Sequence, residues 1–453
     1  MKPSSLTAVL VGLVTVGVAT EAIANGRYPI AGLVAPDPAD PAHVAVRTTY
    51  GVVSTHDSGA TWGWICESAM GYGLGSQDPM VGITKGSAML VGVFDGLSIS
   101  QDKGCQWNFA GGALAKRYAV DLSVERSDPS HAIVLVSNAT SNDTFSTEVF
   151  ESLDDAHTWT QAGVDLPAQF LGLTLDSAPS DPNRIYVSGR YGAPGYEGVL
   201  ERSDDRGKTW TKLPIPGSND LNLPYIAGID PKNADVVYVR LQASKSDTLV
   251  VSKDAGATFT TAFTGASLLG FALSPDGATV AVGGDTDGLW TADASALAFT
   301  QVSKLDVRCL AWNEQGLFAC ADEGRDGFSV GLSTNGGKTF APFMQRDNIC
   351  GVLACGDKTS TATTCPSLWE VTRLSIPSNA CGEADDTSAS TGASTSTGAS
   401  ASSTSGTGGG SGSGGGQGGG CSCGAAGGPR AFAGGGLLAL FAAVLLGRRI
   451  KSR

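Results

Sequence analysis

The sequence predicts an all-β chain: a single β-propeller of seven four-stranded blades, followed by a disulfide-rich cap, a disordered stalk and one C-terminal transmembrane helix. Three observations predict it. A polar turn motif recurs seven times, an Asp-Pro pair keeps step with it, and the composition changes abruptly after residue 382.

The clearest copy of the motif is Ser203-Asp204-Asp205-Arg206-Gly207-Lys208-Thr209-Trp210, set between the short β-type runs Val199-Leu200-Glu201 and Thr211-Lys212-Leu213. Gly207 accepts a positive φ without steric cost. The Asp205 carboxylate is short enough to accept from its own turn's backbone, and Trp210 supplies a large apolar body to pack between layers. Copies begin at Thr55, Ser100, Ser152, Ser203, Ser252, Thr291 and Ser333, which lie 45, 52, 51, 49, 39 and 42 residues apart. That period suits one four-stranded blade. Asp57, Asp102, Asp154, Asp205 and Asp254 hold the acidic position and Asn335 replaces it in the seventh copy. Trp62, Trp107, Trp159 and Trp210 close the first four turns, and Phe259 and Phe340 close the fifth and seventh. Ala156 stands in for the glycine of the third copy. The sixth keeps only Thr291, Asp293 and Phe299 in a longer turn.

Asp37-Pro38, Asp128-Pro129, Asp181-Pro182 and Asp230-Pro231 each precede a short apolar strand such as Val236-Val237-Tyr238-Val239. Proline has no N–H to give a ladder, so it belongs between strands. A continuously apolar second strand suits burial on both faces between neighbouring blades. Each repeat therefore reads as strand, Asp-Pro turn, strand, variable loop, strand, polar turn, strand. Blade boundaries fall near residues 27, 78, 116, 168, 222, 267 and 305, and the propeller covers 27–350.

The ends carry other signals. Lys2, the apolar run Leu6 to Val18 and Ala22-Ile23-Ala24 read as a signal peptide over 1–24, with an uncleaved anchor as the alternative. Ten cysteines with export signals point to an oxidising compartment. Cys66 and Cys105 are placed to join adjacent blades, and Cys309 and Cys320 to bridge neighbouring strands. Cys350, Cys355, Cys365 and Cys381 allow three pairings and read as a two-disulfide cap over 351–382, around Trp369 at the end of blade seven. Zinc is disfavoured there, since paired C-x₂-C spacing and a nearby histidine are both missing. Residues 383–420 are almost entirely Ser, Thr, Ala and Gly, with too little apolar surface to offset ordering. Cys421 and Cys423 mark a sorting motif over 421–430. The apolar run 431–447 has 17 residues, the short end for a span. Arg448, Arg449, Lys451 and Arg453 in the tail 448–453 put that end in the cytoplasm and the body outside.

The repeated turn resembles the Asp-box (BNR) repeat, and the body is similar to the BNR/sortilin-like propeller superfamily. In sialidases and related propeller glycosidases the box lies opposite the active site and serves the fold. The resemblance thus implies a structural role for the acidic and aromatic residues named above. The C-terminus resembles the MYXO-CTERM sorting tails, which implies processing near Cys421 or Cys423, with one of them a candidate for lipid attachment, and display at the cell surface or outer membrane. A plain single-pass anchor is the alternative.

The chemistry of an enzyme is hard to assemble from these residues. A sialidase-like site would need an arginine trio, a Tyr–Glu pair and an Arg-Ile-Pro motif, and the nearest match is Arg27-Tyr28-Pro29, with Tyr196-Glu197 as a formal pair. The four histidines sit in or beside turns, and no GxSxG elbow or HExxH helix occurs. A net charge of −13 argues against a nucleic-acid partner. No cofactor or metal is expected. The variable loops instead carry aromatics and glycines suited to contact with a partner: Tyr50, Tyr72, Arg190, Tyr191 and Tyr196. The expectation is a non-enzymatic cell-surface module that binds a protein or glycan. An exported glycoside hydrolase, or an assembly factor for a membrane complex, is the alternative.

Overall fold

Short β-branched and apolar runs, each stopped by a glycine- or aspartate-containing turn, form every strand of the body. In the computed structural model, described over residues 27–73, 77–192 and 195–376, they assemble into seven four-stranded antiparallel sheets. The first strands of the seven blades are Ala31–Pro36, Met80–Ile83, Ala119–Val124, Phe170–Ala178, Leu223–Ile229, Gly270–Leu273 and Cys309–Asn313. Each packs against the first strand of the next blade and the last packs against the first, so the ring is closed. The protein is a seven-bladed β-propeller.

Second strands such as Val44–Thr48 and Met89–Val93 are buried at every position, because blades cover both of their faces. Consecutive blades share apolar clusters; Val134, Val136 and Phe150 of blade three, for example, pack with Leu90 and Leu97 of blade two. At about 25 cal/mol per Å² of apolar surface removed from water, these interfaces are the main source of stability.

The ring is closed in an unusual way. After blade seven the chain runs through the short 3₁₀ turn Arg346–Asn348 and adds Ile349–Val352 as a fifth strand on the outer edge of blade one, parallel to Trp62–Ile65. Two disulfides lie just beyond: Cys66–Cys365, 299 residues apart, and Cys105–Cys355, 250 apart. The helices Ser360–Thr364 and Pro366–Thr372 then lie over blades one and two. There Trp369 packs on Trp64 with ring centroids 5.5 Å apart, and Thr361 Oγ1 donates to Gly104 O at 2.7 Å.

This arrangement corrects the expected cysteine pairing. Cys66 and Cys105 do not join each other, and Cys355 and Cys365 are not partners within a self-contained cap over blade seven. The returning strand carries Cys355 and Cys365 to the first two blades, so proximity along the sequence misleads. Cys350 is also disulfide-bonded. Cys309 and Cys320 are bridged across the first two strands of blade seven. The disulfides fit an oxidising compartment. The signal peptide, Cys381, the stalk, Cys421, Cys423 and the apolar run 431–447 lie outside the described residues. Among the described residues no helix is long and apolar enough to cross a membrane.

Candidate functional site

The two ends of the ring differ in kind. One end, here the turn face, carries the turns between first and second and between third and fourth strands. In blade four Ser203 Oγ donates to Asp205 Oδ1 at 2.8 Å and accepts from Gly207 N at 2.7 Å. The carboxylate of Asp205 in turn accepts from Thr209 N and Thr209 Oγ1, both at 2.8 Å. Asp57, Asp154 and Asp254 repeat this set, and Asp102 accepts from Ser100 Oγ and Gln106 N. Asn335 does the same work with its Oδ1 and donates from Nδ2 to Thr339 Oγ1. Two successive residues take positive φ, Arg206 at 56° and Gly207 at 83° in blade four. Ala156 bears the strain at 64° where the glycine is missing. Asp293, in the eroded sixth copy, accepts from Ser295 N and Ala296 N instead.

The residue after the acidic position donates its N–H back to the neighbouring turn of the same blade. Ser58 reaches Ala42 O, Asp155 reaches Ser130 O, Arg206 reaches Asn183 O, Ala255 reaches Asp235 O and Ala294 reaches Ala278 O, at 2.9–3.1 Å. Trp62 and Trp107 are buried and donate their indole N–H to Gly59 O and Gly104 O. Trp159 and Trp210 are half-buried, and Trp210 Nε1 donates to Val164 O. The acid at the repeated position is thus engaged by its own turn in each copy that keeps it, whereas Asp155 accepts from Gly86 N and Asp204 pairs with Arg184 and Arg202.

The opposite end, the loop face, carries the second-to-third-strand loops and the connections between blades. Two of the expected contact residues are withdrawn from it. Tyr50 is 7% exposed and Tyr72 5%, and burial pushes both hydroxyls above their usual range. These rings fold back as packing; Tyr50 O also accepts from Trp64 Nε1 at 2.6 Å.

The arginines of this face hold the ring together. Arg47 and Arg240 occupy equivalent places, five residues beyond the acceptors Ala42 and Asp235. Each reaches the incoming connection of the next blade: Arg47 Nη1 donates to Asp78 O and Arg240 Nη1 to Leu268 O. Burial lowers the proton affinity of both guanidiniums. Arg27 pairs with Asp78, and Arg117 with Glu148 and Ser146. Ser188 Oγ, at the same place in blade four, donates to Pro224 O.

Deeper in the ring, Asp121 of blade three accepts from Leu122 N and from Leu175 N of blade four, and Ser123 Oγ donates to Asp176. Burial pushes the Asp121 carboxyl up to about 8, with Asp176 nearby adding to the shift. Both oxygens of Asp121 are spent on backbone donors, so it joins two blades and offers no oxygen to a substrate.

Blade four differs from its neighbours on the loop face. Its hairpin brings together Arg190, Tyr191, Tyr196, Glu197 and Lys212. The Arg190 guanidinium lies 5.2 Å from the Tyr196 ring centroid and the Lys212 ammonium 4.0 Å from that of Tyr191. Lys212 pairs with Glu197 at 2.6 Å, and Tyr191 Oη donates to Glu201 at 2.7 Å. Among the described residues Arg190 Nη1 has no acceptor. Tyr196 takes φ 43°, a conformation that holds its ring under the guanidinium at the cost of backbone strain. Sequence reasoning finds Arg190, Tyr191 and Tyr196 but misses Lys212, Glu197 as its partner, and the aromatic group Phe94, Tyr118 and Tyr225. The Phe94 and Tyr118 rings meet edge to face at 4.7 Å. A tyrosine at the entry of a first strand, as at 118 and 225, was the available signal. Among the described residues no group of three or more His, Cys, Asp or Glu side chains is placed to hold a metal ion.

No protein-family model matches the sequence, and no curated protein is similar to it. Solved structures are similar in fold. A GH74 enzyme from Niastella koreensis is 15% identical, with a TM-score of 0.45 over 67% of this chain and 52% of its own. An ancestral GH74 enzyme is 13% identical, with a TM-score of 0.49 over 70% and 49%. A Hadza microbial sialidase is 12% identical, with a TM-score of 0.39 over 61% and 70%. The chain spans about half the length of the two GH74 enzymes.

Proposed function

We propose that this propeller is a non-enzymatic, surface-displayed binding module that contacts a protein or glycan partner through the blade-four hairpin of its loop face. The Arg190 guanidinium carries this reading: it stacks on Tyr196 yet keeps an N–H without an acceptor. A buried unmet donor is costly, and an incoming carbonyl, carboxylate or hydroxyl would satisfy it. The other arginines of that face are held by backbone carbonyls or carboxylates, and the inner carboxylates by backbone N–H groups. This argues against the alternative, a glycoside hydrolase, which needs two carboxylates placed across its substrate. In this reading the repeated turns are Asp boxes, and the Gly-rich stalk and Cys421/Cys423 tail serve to display the ring at the outer surface.

The test is a glycan array together with affinity capture from the native outer membrane. Wild-type protein is compared with an Arg190→Ala, Tyr196→Ala double variant. Retention of a defined glycan or protein that falls at least about tenfold in the variant supports the reading. Retention unchanged in the variant, or release of reducing sugar from the bound glycan, overturns it.

A further inference from the structure

Tyr186 and Tyr238 sit at equivalent places in blades four and five, each three residues beyond the carbonyl that receives the turn's N–H, Asn183 O and Asp235 O respectively. Both side chains are fully buried. Tyr186 Oη has two partners: it donates to Ala234 O in the next blade at 2.8 Å and receives Arg184 Nη1 at 3.1 Å. Tyr238 Oη has neither and is unpaired. The sequence explains both losses. Val236 stands where blade four has Arg184, and the turn that would supply the carbonyl is shorter. Blade five leaves its first strand at Ile229 and begins the second at Val237, whereas blade six spans only Leu273 to Thr279. Beside Gly277 of the shortened turn lies an open cleft of about 290 Å³ between blades five and six, lined by Tyr238, Asp230, Lys253, Gly277, Asp293 and Ser295 among others.

The cavity wall has a definite polarity. Asp230 and Asp293 use Oδ1 to accept from their own turns, which leaves Oδ2 of each as an acceptor. Lys253 donates one N–H to Ser295 O at 3.1 Å and has two more. Two carboxylates against one ammonium disfavour phosphate and carboxylate ligands, and the ammonium disfavours a bare metal ion. Hydroxyl groups donate and accept at once, so they match the phenol, the ammonium and both carboxylates together. The volume lies at the small end of ligand sites. We infer that the cleft between blades five and six, on the turn face, is a binding site for a small neutral polyol of monosaccharide size, with the Tyr238 hydroxyl as its buried anchor. It is separate from the blade-four hairpin and does not depend on it.

The test uses Tyr238→Phe, which removes one oxygen and keeps the ring. D-glucose, D-galactose, N-acetyl-D-glucosamine and myo-inositol are titrated into the full-length protein, with binding read by saturation-transfer NMR. At least one should bind, about five- to tenfold more weakly in Tyr238→Phe, the cost of one neutral hydrogen bond, and equally well in Arg190→Ala. Without ligand, Tyr238→Phe should raise the thermal midpoint and Tyr186→Phe should lower it. Failure of all four compounds to bind overturns the inference, as does binding indifferent to Tyr238→Phe. A midpoint lowered by Tyr238→Phe as much as by Tyr186→Phe would show that the hydroxyl is structurally paired, and overturns it too.

Discussion

Ser203 does more for its turn than the acidic residue that makes the motif conspicuous. Its hydroxyl is buried and bonds to Asp205 Oδ1 and Gly207 N at once. Ser203→Ala should cost about 1–3 kcal/mol in chemical denaturation, because it strands a buried N–H. Asp205→Asn should leave the midpoint nearly unchanged, since Asn335 already fills that place in blade seven. The Thr209 N–H and hydroxyl hold the Asp205 carboxyl below its usual 3.8. The stability it contributes is present above that value and is lost as pH falls through the lower folded one. Asp121 behaves in the opposite sense. Its folded value of about 8 lies above the ordinary 3.8, so its contribution is full below 3.8 and declines as pH rises towards 8. The thermal midpoint should therefore fall further between pH 5 and pH 9 in the wild type than in Asp121→Asn; parallel pH profiles would contradict the assignment.

At the scale of elements, the ring depends on the segment that follows it. The fifth strand Ile349–Val352 and the disulfides Cys66–Cys365 and Cys105–Cys355 tie the end of the chain to blades one and two. Taken alone, each of the two disulfides closes a very long loop in the unfolded chain; with Cys66–Cys365 in place, Cys105–Cys355 still closes a loop of about 50 residues, an effect of about 4 kcal/mol in the chain-entropy model, against about 3 for a loop as short as that of Cys309–Cys320. Cys105→Ser with Cys355→Ser should therefore lower the denaturation midpoint more than Cys309→Ser with Cys320→Ser. Equal losses would mean that the closing links act only locally. Local order was legible in the sequence because turn chemistry is local. Gly207, Asp205 and the Asp-Pro pairs placed the seven blades, and the expected boundaries fall within four residues of the first strands. The Cys309–Cys320 bridge was legible, because its strands are neighbours in sequence, whereas the partners of Cys66, Cys105, Cys355 and Cys365 were not, because they depend on where the last strand returns. Nor was the burial of Tyr50 and Tyr72, since a loop aromatic turns inward or outward according to neighbours from another blade. The Tyr238 cleft was equally hidden: it lies beside a turn that is shorter than the turn before it.

At the scale of the whole molecule, a stiff ring presents two unlike faces. Its turn face is knitted by repeated backbone and carboxylate bonds, and its loop face by arginine clamps at blades one and five. A propeller fold by itself assigns no activity, so the functional claim rests on the blade-four hairpin, where Arg190 stacks on Tyr196 instead. Site-specific photocrosslinking tests it most directly. A benzophenone amino acid replaces Tyr196 on the loop face or Leu153, an exposed residue of the turn face, in the full-length protein expressed in its native cells. The account predicts a discrete covalent adduct from position 196 and none from position 153. Adducts from 153 alone, or none from 196, would contradict it.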